Sequence, residues 1–523
     1  MEKRRIRYTY GKSVFSFIIG TFMLGSLPGM AEDLAVQKAP ASAAFSDWVA
    51  HHQPRGLPGP LGGTQEGGVR VRGRIPHPVD LSHLKGPVFS QGVGDPPLPA
   101  FFDLRTSGVM TPVKDQGQYG TCWAFACMGS LEAATLKAGA GLNDLSEWYH
   151  AYYAYQPFNN SLLVAFTPGA VATGEDPIFD QGGNDLISTA LLARGNGAVN
   201  EVGCQYQTGS YRAKPIPAGD LPNGHENQRV PLEQALYLFD HDTPSSPADL
   251  KYAVSHFGPA VISIDWEDSN YSDAMYTYRN TQATEASLNH EVCIVGWNDC
   301  FETCRFPAGN RPSRPGAWIV RNSWSRDWGL NGYFYISYDS RVFDGTVFVG
   351  GPRTAQRIRQ YDPLGWCGSR GFGTPTAYAA NLFQTREAER ITAVSFYAGA
   401  VGTSYEISLT VAEPGLGTVT MPLEGLRGQP QAGVLQAPGY HIIPLATPMT
   451  VAAGSTFAVT VKLTTPGYLF PIPIQDPEPG YSESSAAHHG RSFISADGIT
   501  WQDLAPNCQG AIVCLKAFAE KAD

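Results

Sequence analysis

Apolar positions recur with two different periods along the chain, one helical and one strand-like. Between Ser246 and Phe257 apolar residues fall at i, i+3, i+4 and i+7, and Ser246 with Pro247 can start a helix there. The run AVISID that follows Pro259 predicts a strand. Residues 98–352 mix both patterns, whereas from Gln356 short β-branched runs alternate with Gly, Pro and Asn turns. The pattern predicts an α+β domain followed by an all-β sandwich over residues 356–520.

The N-terminus has a pattern of its own. Five basic residues precede an apolar run from Val14 to Leu27, and Gly29 and Ala31 occupy the −3 and −1 positions of a cut before Glu32. This three-part pattern predicts a secretory signal peptide over residues 1–31; an uncleaved anchor is the alternative. Residues 32–97 are rich in Gly, Pro and polar residues, which is typical of a linker or a short pro-segment.

The net charge of the chain argues against some classes of binding partner. The formal net charge is −10, and removal of residues 1–31 takes away five bases and one acid, which leaves −14. With no basic field, binding to nucleic acid or to an anionic membrane surface is excluded, and no second long apolar run predicts a membrane span. Export would place the nine cysteines where disulfides persist, and an odd number leaves at least one thiol with another role.

Cys122 is the cysteine with the surroundings of a nucleophile. It ends a glycine-bearing loop, and the alanine-rich stretch from Cys122 to Lys137 predicts a buried helix. The positive end of the helix dipole favours a thiolate at that position. Gln116, six residues upstream, can present its side-chain amide beside the Cys122 backbone N–H and so stabilise an oxyanion.

A thiolate nucleophile needs a proton partner and a group that orients this partner. His290 leads the apolar strand in SLNHEVCIVGWND, and no other histidine begins such a run. Asn322 follows a second apolar strand, and the ring of Trp324 at the edge of the substrate site can shield the hydrogen bond between His290 and Asn322 from water.

Three segments then carry a family resemblance. LPAFFDLRTSGVMTPVKDQGQYGTCWAFA, LNHEVCIVGW and WIVRNSWSRDWGLNGYFYIS resemble the active-site segments of the papain-like cysteine peptidases. The resemblance implies a two-lobed domain over residues 98–352, one lobe helical and the other β-barrel-like, with a cleft between them. It assigns Cys122 as nucleophile, His290 as general acid and base, Asn322 as its orienter and Gln116 as oxyanion donor, without metal or cofactor.

The same resemblance implies substrate contacts. Gly182 and Gly183 resemble the glycine pair that hydrogen-bonds an extended substrate backbone. Leu288 and Asn289 would border the subsite that selects the second residue of the substrate. An ion pair at rest between Cys122 and His290 is also expected from the resemblance.

The sequence departs from the family in four places. Tyr119 and Asp180 occupy positions that usually hold a bridged cysteine pair, so packing is expected to close the cleft there. Glu291 stands where a small residue is usual; strand alternation should direct it away from His290. The spacing from His290 to Asn322 is longer than usual, and residues 32–97 show no long helical inhibitory pro-domain, which leaves open how the enzyme would be held latent.

The C-terminal region resembles the lectin-like β-domain that follows the peptidase in some secreted bacterial and archaeal papain-like proteins. Four aromatic residues there either stack on sugars or fill the sandwich core: Trp366, Tyr468, Tyr481 and Trp501. The resemblance therefore leaves two roles open, contact with a cell-surface glycan and packing beside the cleft.

The remaining cysteines suggest local pairs. Cys300 with Cys304, and Cys508 with Cys514, flank short loops and predict local disulfides; zinc ligation is the weaker alternative because no matching His or Cys pair lies nearby. No metal site is predicted.

The sequence thus predicts a secreted, periplasmic or cell-surface cysteine peptidase acting on polypeptides. Two alternatives use the same features differently: an amidase or transpeptidase acting on cell-wall peptides, and a non-catalytic adhesion or carbohydrate-binding protein. The four residues Cys122, His290, Asn322 and Gln116 argue against the non-catalytic alternative, because a scaffold has no need of them.

Overall fold

A computed structural model describes thirteen stretches of the chain, which belong almost wholly to the compact unit Val36–Asp523. They are residues 35–51, 73–84, 88–89, 97–141, 143–155, 178–195, 197–207, 230–238, 247–351, 357–412, 421–483, 489–508 and 510–522. The predicted signal peptide and Ser246 lie outside these residues.

Five of the six α-helices in the described stretches lie before residue 257, and the sixth lies near the C-terminal end. They are α1 (Ala43–His51), α2 (Cys122–Lys137), α3 (Glu147–Tyr155), α4 (Asp185–Ala193), α5 (Pro247–His256) and α6 (Leu504–Asn507). The predicted helix at residue 122 has the expected bounds, and α5 begins at Pro247 as the first-turn rule for proline requires. No helix in the described stretches is both long and apolar enough to cross a membrane.

Strands run through the whole of the described chain. Those before residue 352 are β1 (Gln37–Lys38), β2 (Phe101–Asp103), β3 (Leu232–Tyr237), β4 (Ala260–Ile264), β5 (Tyr271–Ser272), β6 (Thr277–Tyr278), β7 (His290–Asn298), β8 (Ala317–Arg321), β9 (Tyr333–Ser337) and β10 (Phe343–Gly350). Those after residue 356 are β11 (Arg357–Arg359), β12 (Gly368–Gly371), β13 (Thr376–Gln384), β14 (Glu389–Ala398), β15 (Thr403–Val411), β16 (Leu426–Arg427), β17 (Gln431–Leu435), β18 (Gly439–Val451), β19 (Thr456–Thr464), β20 (Ile472–Gln475), β21 (Ser492–Ser495), β22 (Gln502–Asp503), β23 (Ile512–Val513) and β24 (Leu515–Lys521).

Helix α2 separates the two lobes of the first domain. It is buried on all sides, which explains its even distribution of apolar and small residues. Met128 and Leu131 pack with the strands β4, β7 and β10, whereas Trp123 and Ala124 pack with α3 and α4. The helix therefore carries its first residue, Cys122, to the boundary between the helical lobe and the strand lobe.

The C-terminal region is the predicted antiparallel sandwich, but it is not a separate sheet system. One seven-stranded sheet has the order β16-β15-β19-β13-β21-β22, with β17 on β15, and its apolar face packs with that of β14 and β24. Strand β18 also pairs with β3 of the first domain, so a 13-stranded sheet runs through both domains. At the join Gly439 meets Ala235, and a Cβ on Gly439 would lie 2.0 Å from the Ala235 carbonyl oxygen.

Candidate active site

Cys122 is the first residue of α2 and is completely buried. Burial, and after it the charge of Glu291, raise the pKa of the Cys122 thiol to about 12, although backbone groups of Glu291, Gly73 and Trp123 act in the opposite direction. In this form of the protein burial therefore acts against the resting thiolate that the resemblance predicts.

His290 begins β7 and is also completely buried. Its Nε2 lies 2.9 Å from Asn322 Oδ1. The Trp324 ring stacks on the imidazole with 4.8 Å between the centroids, and the Trp266 ring stands edge-on at 6.3 Å. The predicted pair of His290 and Asn322 is thus brought together, and the indole ring of Trp324 covers the imidazole and keeps water away from the hydrogen bond.

Gln116 is held by the residue that follows Asn322. The Ser323 hydroxyl donates to Gln116 Oε1 at 2.6 Å, and the Gln116 backbone N–H donates to the Ser323 carbonyl at 2.8 Å. The Ser323 backbone N–H in turn donates to Asn322 Oδ1 at 2.8 Å. Gln116 Nε2 donates to the Tyr119 carbonyl at 2.8 Å, within the loop that leads to Cys122. Ser323 was not predicted, although it lies inside the NSW motif that pointed to Asn322.

Gly183 pairs with an extended stretch of this same chain, and Gly182 lies directly before it. Gly183 N–H donates to the Gly73 carbonyl at 2.8 Å, and Ile75 N–H donates to the Gly183 carbonyl at 2.9 Å. Gly182 has φ +77°, and a Cβ on Gly183 would lie 2.3 Å from the Trp123 ring, so both positions need glycine. Gly183 therefore binds backbone in the structure, and that backbone is residues 73–75 of the same chain; binding of a substrate backbone stays a prediction.

Of the two residues before His290, Asn289 borders the same stretch. The Asn289 carbonyl accepts from Arg74 N–H at 3.2 Å, while its side-chain amide bonds to Asp265 and Trp266 on the far side. Leu288 is buried with Ala283 and Phe343. Asn289 thus contributes its backbone, and not its side chain, to this subsite.

Residues 73–84, which we call the cleft segment, close the site. A Cβ on Gly73 would lie 1.8 Å from the Gly120 carbonyl oxygen, so the segment lies against the loop that leads to Cys122. Beyond Gly73, Arg74 and His77 enter a buried group of acids. The sequence did not predict that this segment lies in the cleft, because its apolar residues follow neither a helical nor a strand period.

The departures from the family pattern have structural substitutes. Gly120 N–H donates to Asp180 Oδ1 at 3.0 Å, and Tyr119 packs on Phe179 with 5.8 Å between the centroids, which closes the cleft by packing as expected. Glu291 is buried and interacts with Asp185 and Arg74, and burial raises the pKa of its carboxyl well above the usual value.

Two further sequence predictions are corrected. All nine cysteines are described and all are free thiols, so the disulfides predicted for Cys300 with Cys304 and for Cys508 with Cys514 are not formed. Short spacing allows a bridge but does not direct the side chains: the Cys304 thiol faces Glu302, and Cys514 is buried in the core that joins the domains. Trp366, Tyr468 and Tyr481 are buried, which removes them as sugar platforms; Trp501 is partly exposed.

One group of side chains could hold a metal ion by geometry. His77, Asp185 and Asp344 each offer a ligand atom within 4.8 Å of the others. His77 Nε2 lies 2.5 Å from Asp185, and Arg74 binds Asp344 at 3.1 Å. Two basic side chains thus already face two acids, which balances the group without a cation.

Comparisons with known proteins agree with this architecture. Residues 98–149 and 186–346 match the model of the papain family cysteine protease, and residues 358–519 match that of the lectin like domain. The first match contains Gln116, Cys122, His290 and Asn322, whereas Gly182 and Gly183 lie between its two parts.

Curated relatives match the first domain alone. A cysteine proteinase of Trypanosoma brucei brucei is 30% identical over 244 residues, which is 46% of this chain and 43% of that protein. Procathepsin L of Rattus norvegicus is 27% identical over 262 residues, 49% of this chain and 65% of that protein. The chain thus spans less than two thirds of the length of these relatives.

A solved structure matches both domains. The cysteine protease and lectin-like domains of Cwp84, a surface layer associated protein of Clostridium difficile, superpose with a TM-score of 0.73 at 20% identity and cover 93% of this chain and 98% of that one. A second structure, of the clostridial cysteine protease Cwp84 after propeptide cleavage, gives a TM-score of 0.66 at 20% identity over 81% of this chain and 99% of that one. At this identity the match establishes the fold.

Proposed function

The chain joins a papain-family cysteine protease domain to a lectin-like domain, and from that premise we propose that it is a secreted peptidase, made in a latent form, which hydrolyses peptide bonds through Cys122. The observation that carries the proposal is the His290 to Asn322 hydrogen bond of 2.9 Å beside the buried start of α2. A histidine oriented by an amide next to a helix-terminal cysteine is the arrangement that thiol acyl transfer needs.

The chemistry is acyl transfer in two halves. His290 takes the Cys122 proton, the sulfur attacks the peptide carbonyl carbon, and the Gln116 amide with the Cys122 N–H stabilises the oxyanion. His290 then gives its proton to the amine as the C–N bond breaks and a thioester remains. Water, deprotonated by His290, attacks the thioester; the C–S bond breaks, the acid product leaves and the thiol regains its proton.

Latency is the second part of the proposal. With Gly73 against Gly120 and with Gly183 already paired to Gly73 and Ile75, no substrate backbone can enter the cleft. We therefore assign the cleft segment as an inhibitory pro-segment within residues 32–97. Cwp84, which shares this fold, has a propeptide that is cleaved, and this supports the same organisation here.

Location and the role of the lectin-like domain complete the proposal. The signal-peptide pattern and the surface-layer association named for Cwp84 support secretion or a place at the cell surface. For the lectin-like domain we favour packing beside the protease, because three of its four candidate sugar-binding aromatics are buried. Glycan binding through Trp501 is the alternative, and a glycan array with a Trp501→Ala control tests it.

The first experiment measures peptide cleavage. Residues 32–523 are produced with a recognition site for an unrelated protease inserted within residues 90–96, so that the chain folds intact and is cut afterwards. A mixed peptide library is then incubated with the cut protein under reducing conditions, and products are read by mass spectrometry. We expect cleavage that Cys122→Ala abolishes and that Cys304→Ala, which removes an exposed thiol, leaves unchanged. Cleavage that survives in Cys122→Ala would exclude the thiol mechanism, and released cell-wall fragments without cut peptides would favour an amidase.

A further inference from the structure

The side chain of Arg74 fills a pocket beside Cys122. The residues on either side of it, Gly73 and Ile75, hydrogen-bond to Gly183, and its own N–H donates to the Asn289 carbonyl. Arg74 is therefore the residue that sits at the subsite bordered by the glycine pair and residue 289. Its side chain has no exposed surface.

The pocket around this guanidinium is polar and acidic. Arg74 Nη2 lies 3.1 Å from Asp344 Oδ2, and Arg74 Nε donates to Ser263 Oγ at 3.3 Å. The Asp344 side chain is 2% exposed, so water hardly solvates its carboxylate. Buried carboxylates of this kind are costly unless a cation or hydrogen-bond donors face them.

Glu291 adds a second acid to the same pocket. It is 1% exposed, both of its carboxylate oxygens lack a hydrogen-bond partner among the described residues, and Arg74 is one of the charges that act on it. Arg74 Nη1 is likewise without a hydrogen-bond partner there. The pocket thus holds more acid than Arg74 engages, because Arg74 pairs with Asp344 and not with Glu291.

His77 shows how the cleft segment satisfies the deepest acid. His77 Nε2 lies 2.5 Å from Asp185 Oδ1, and its Nδ1 lies 3.7 Å from Asp344. Although burial lowers the pKa of His77, Asp185 and Asp344 raise it above the usual value on balance. When the cleft segment leaves, Asp344 and Asp185 lose these two basic partners together.

We propose that this pocket makes the enzyme select a basic side chain, arginine before lysine, at the substrate residue that pairs with Gly183. The proposal rests on the proposed peptidase function. Asp344 is the principal specificity-determining residue and Glu291 the second, and Arg74 occupies the pocket as an internal copy of the substrate side chain. Arginine is preferred because one planar group reaches both Ser263 and Asp344, as Arg74 does, whereas lysine offers a single nitrogen.

The first test compares substrates that differ at one position. Quenched peptides carry Arg, Lys, Leu or Glu at the second residue before the cut, and the cut protein with the inserted protease site provides kcat/KM for each. We expect Arg to exceed Leu by about tenfold or more, because Leu would leave the acids unpaired. Asp344→Asn should bring the kcat/KM values of the Arg and Leu peptides within about threefold of each other, mainly because the value for the Arg peptide falls. Asn is chosen because residue 344 has φ +58°, which Asn tolerates. Glu302→Gln, an exposed acid, is the matched control.

The second test needs no catalysis. In the Cys122→Ala protein, cut within residues 90–96, dissociation of the labelled N-terminal fragment is followed by gel filtration after dilution. Arg74→Leu should weaken its retention by about tenfold or more, because Asp344 then loses its closest cation and keeps only His77, whose Nδ1 lies 3.7 Å away. Arg74→Lys should weaken it less, and Ser82→Ala, at an exposed position, should not change it.

The two tests separate the two proposals. If no peptide is cut but Arg74→Leu releases the fragment, the peptidase proposal fails and the basic-residue pocket stands. If peptides are cut with Leu equal to or better than Arg, and Arg74→Leu is retained like the unchanged fragment, the pocket proposal is wrong and the peptidase stands.

Discussion

Ser323 connects the group that orients His290 with the predicted oxyanion donor. Its backbone N–H bonds to Asn322 and its hydroxyl to Gln116, so one residue fixes the two amides that we propose take part in catalysis. An amide that accepts a hydrogen bond at its oxygen keeps its NH2 group directed to the other side. We therefore expect Ser323 to act as a positioning residue, through its bonds to Asn322 and Gln116.

Removal of the Ser323 hydroxyl should lower the rate without weakening substrate binding. For Ser323→Ala we expect kcat to fall about tenfold with KM nearly unchanged, because only the oriented oxyanion donor is lost. Steady-state kinetics on a peptide cut by the activated protein measures the two constants. Ser313→Ala, which removes an exposed hydroxyl, is the control. A rise in KM with kcat unchanged would contradict the positioning role.

Lys114 is the centre of a second charged group, away from the cleft. Its Nζ lies within 4 Å of four carboxylates, at 2.8 Å from Asp144, 2.9 Å from Glu201, 3.0 Å from Glu147 and 3.4 Å from Glu132. Of these acids Glu132 and Glu147 are buried, whereas Glu201 is partly buried and Asp144 is exposed. Burial, opposed by Lys114 and reinforced by Glu132, raises the pKa of the Glu147 carboxyl above its usual value of 4.5.

The shifted Glu147 should make stability depend on pH. The folded protein keeps the Glu147 proton to a higher pH than the unfolded chain does, so this residue makes the free energy of unfolding fall as pH rises above about 4.5. The slope for one proton is at most about 1.4 kcal/mol per pH unit. Urea unfolding between pH 5 and 8 should therefore give a flatter profile for Glu147→Gln than for the unchanged protein. Glu302→Gln should keep the original slope, and an equal slope in Glu147→Gln would refute the assignment.

At the scale of elements, the sequence predicted the helices and strands that neighbouring residues determine, but not the pairings between distant strands. The helix from Cys122 to Lys137 and the strand after α5 follow from apolar spacing and from the turn residues around them. His290 and Asn322 could be paired because each stands at the end of an apolar strand within a recognisable motif. These are features that neighbouring residues determine.

What the sequence left unpredicted depends on residues far apart along the chain. The pocket for Arg74 takes Ser263 from β4, Glu291 from β7 and Asp344 from β10, and no local period connects them. The pairing of β18 with β3 joins residues 439–441 to residues 234–236, a contact with no signal in either segment. The prediction of two disulfides was wrong because it rested on short spacing alone, and spacing does not determine where the thiols point.

At the scale of the whole molecule, the N-terminal residues tie the two domains together. Strand β1 pairs with β12 of the lectin-like domain, and Lys38 bonds to Asp476 at 2.8 Å and to Glu478 at 2.5 Å. His83, at the far end of the cleft segment, stacks on Tyr468 with 3.6 Å between the centroids. The lectin-like domain thus contacts the chain on both sides of the part that fills the cleft. If the proposed latent form is right, these contacts would help to hold it without any sugar.

This arrangement predicts how fast Cys122 reacts with a thiol reagent. In the intact chain Cys122 is buried and its pKa is raised to about 12, so iodoacetamide at pH 7.5 should modify it far more slowly than the exposed Cys304 of the same molecule. Lys38→Met combined with His83→Ala removes both anchors and should speed the Cys122 reaction about tenfold, because the segment then leaves the cleft more often. Mass spectrometry of the two cysteine peptides over time measures both rates, and Cys304 serves as the internal control. If Cys122 of the unchanged protein reacts as fast as Cys304, the cleft is open in solution and the latent form is refuted. If Cys122 reacts slowly in the unchanged protein and equally slowly in the double variant, the cleft contacts of Arg74 and Gly73 hold the segment without help from the lectin-like domain.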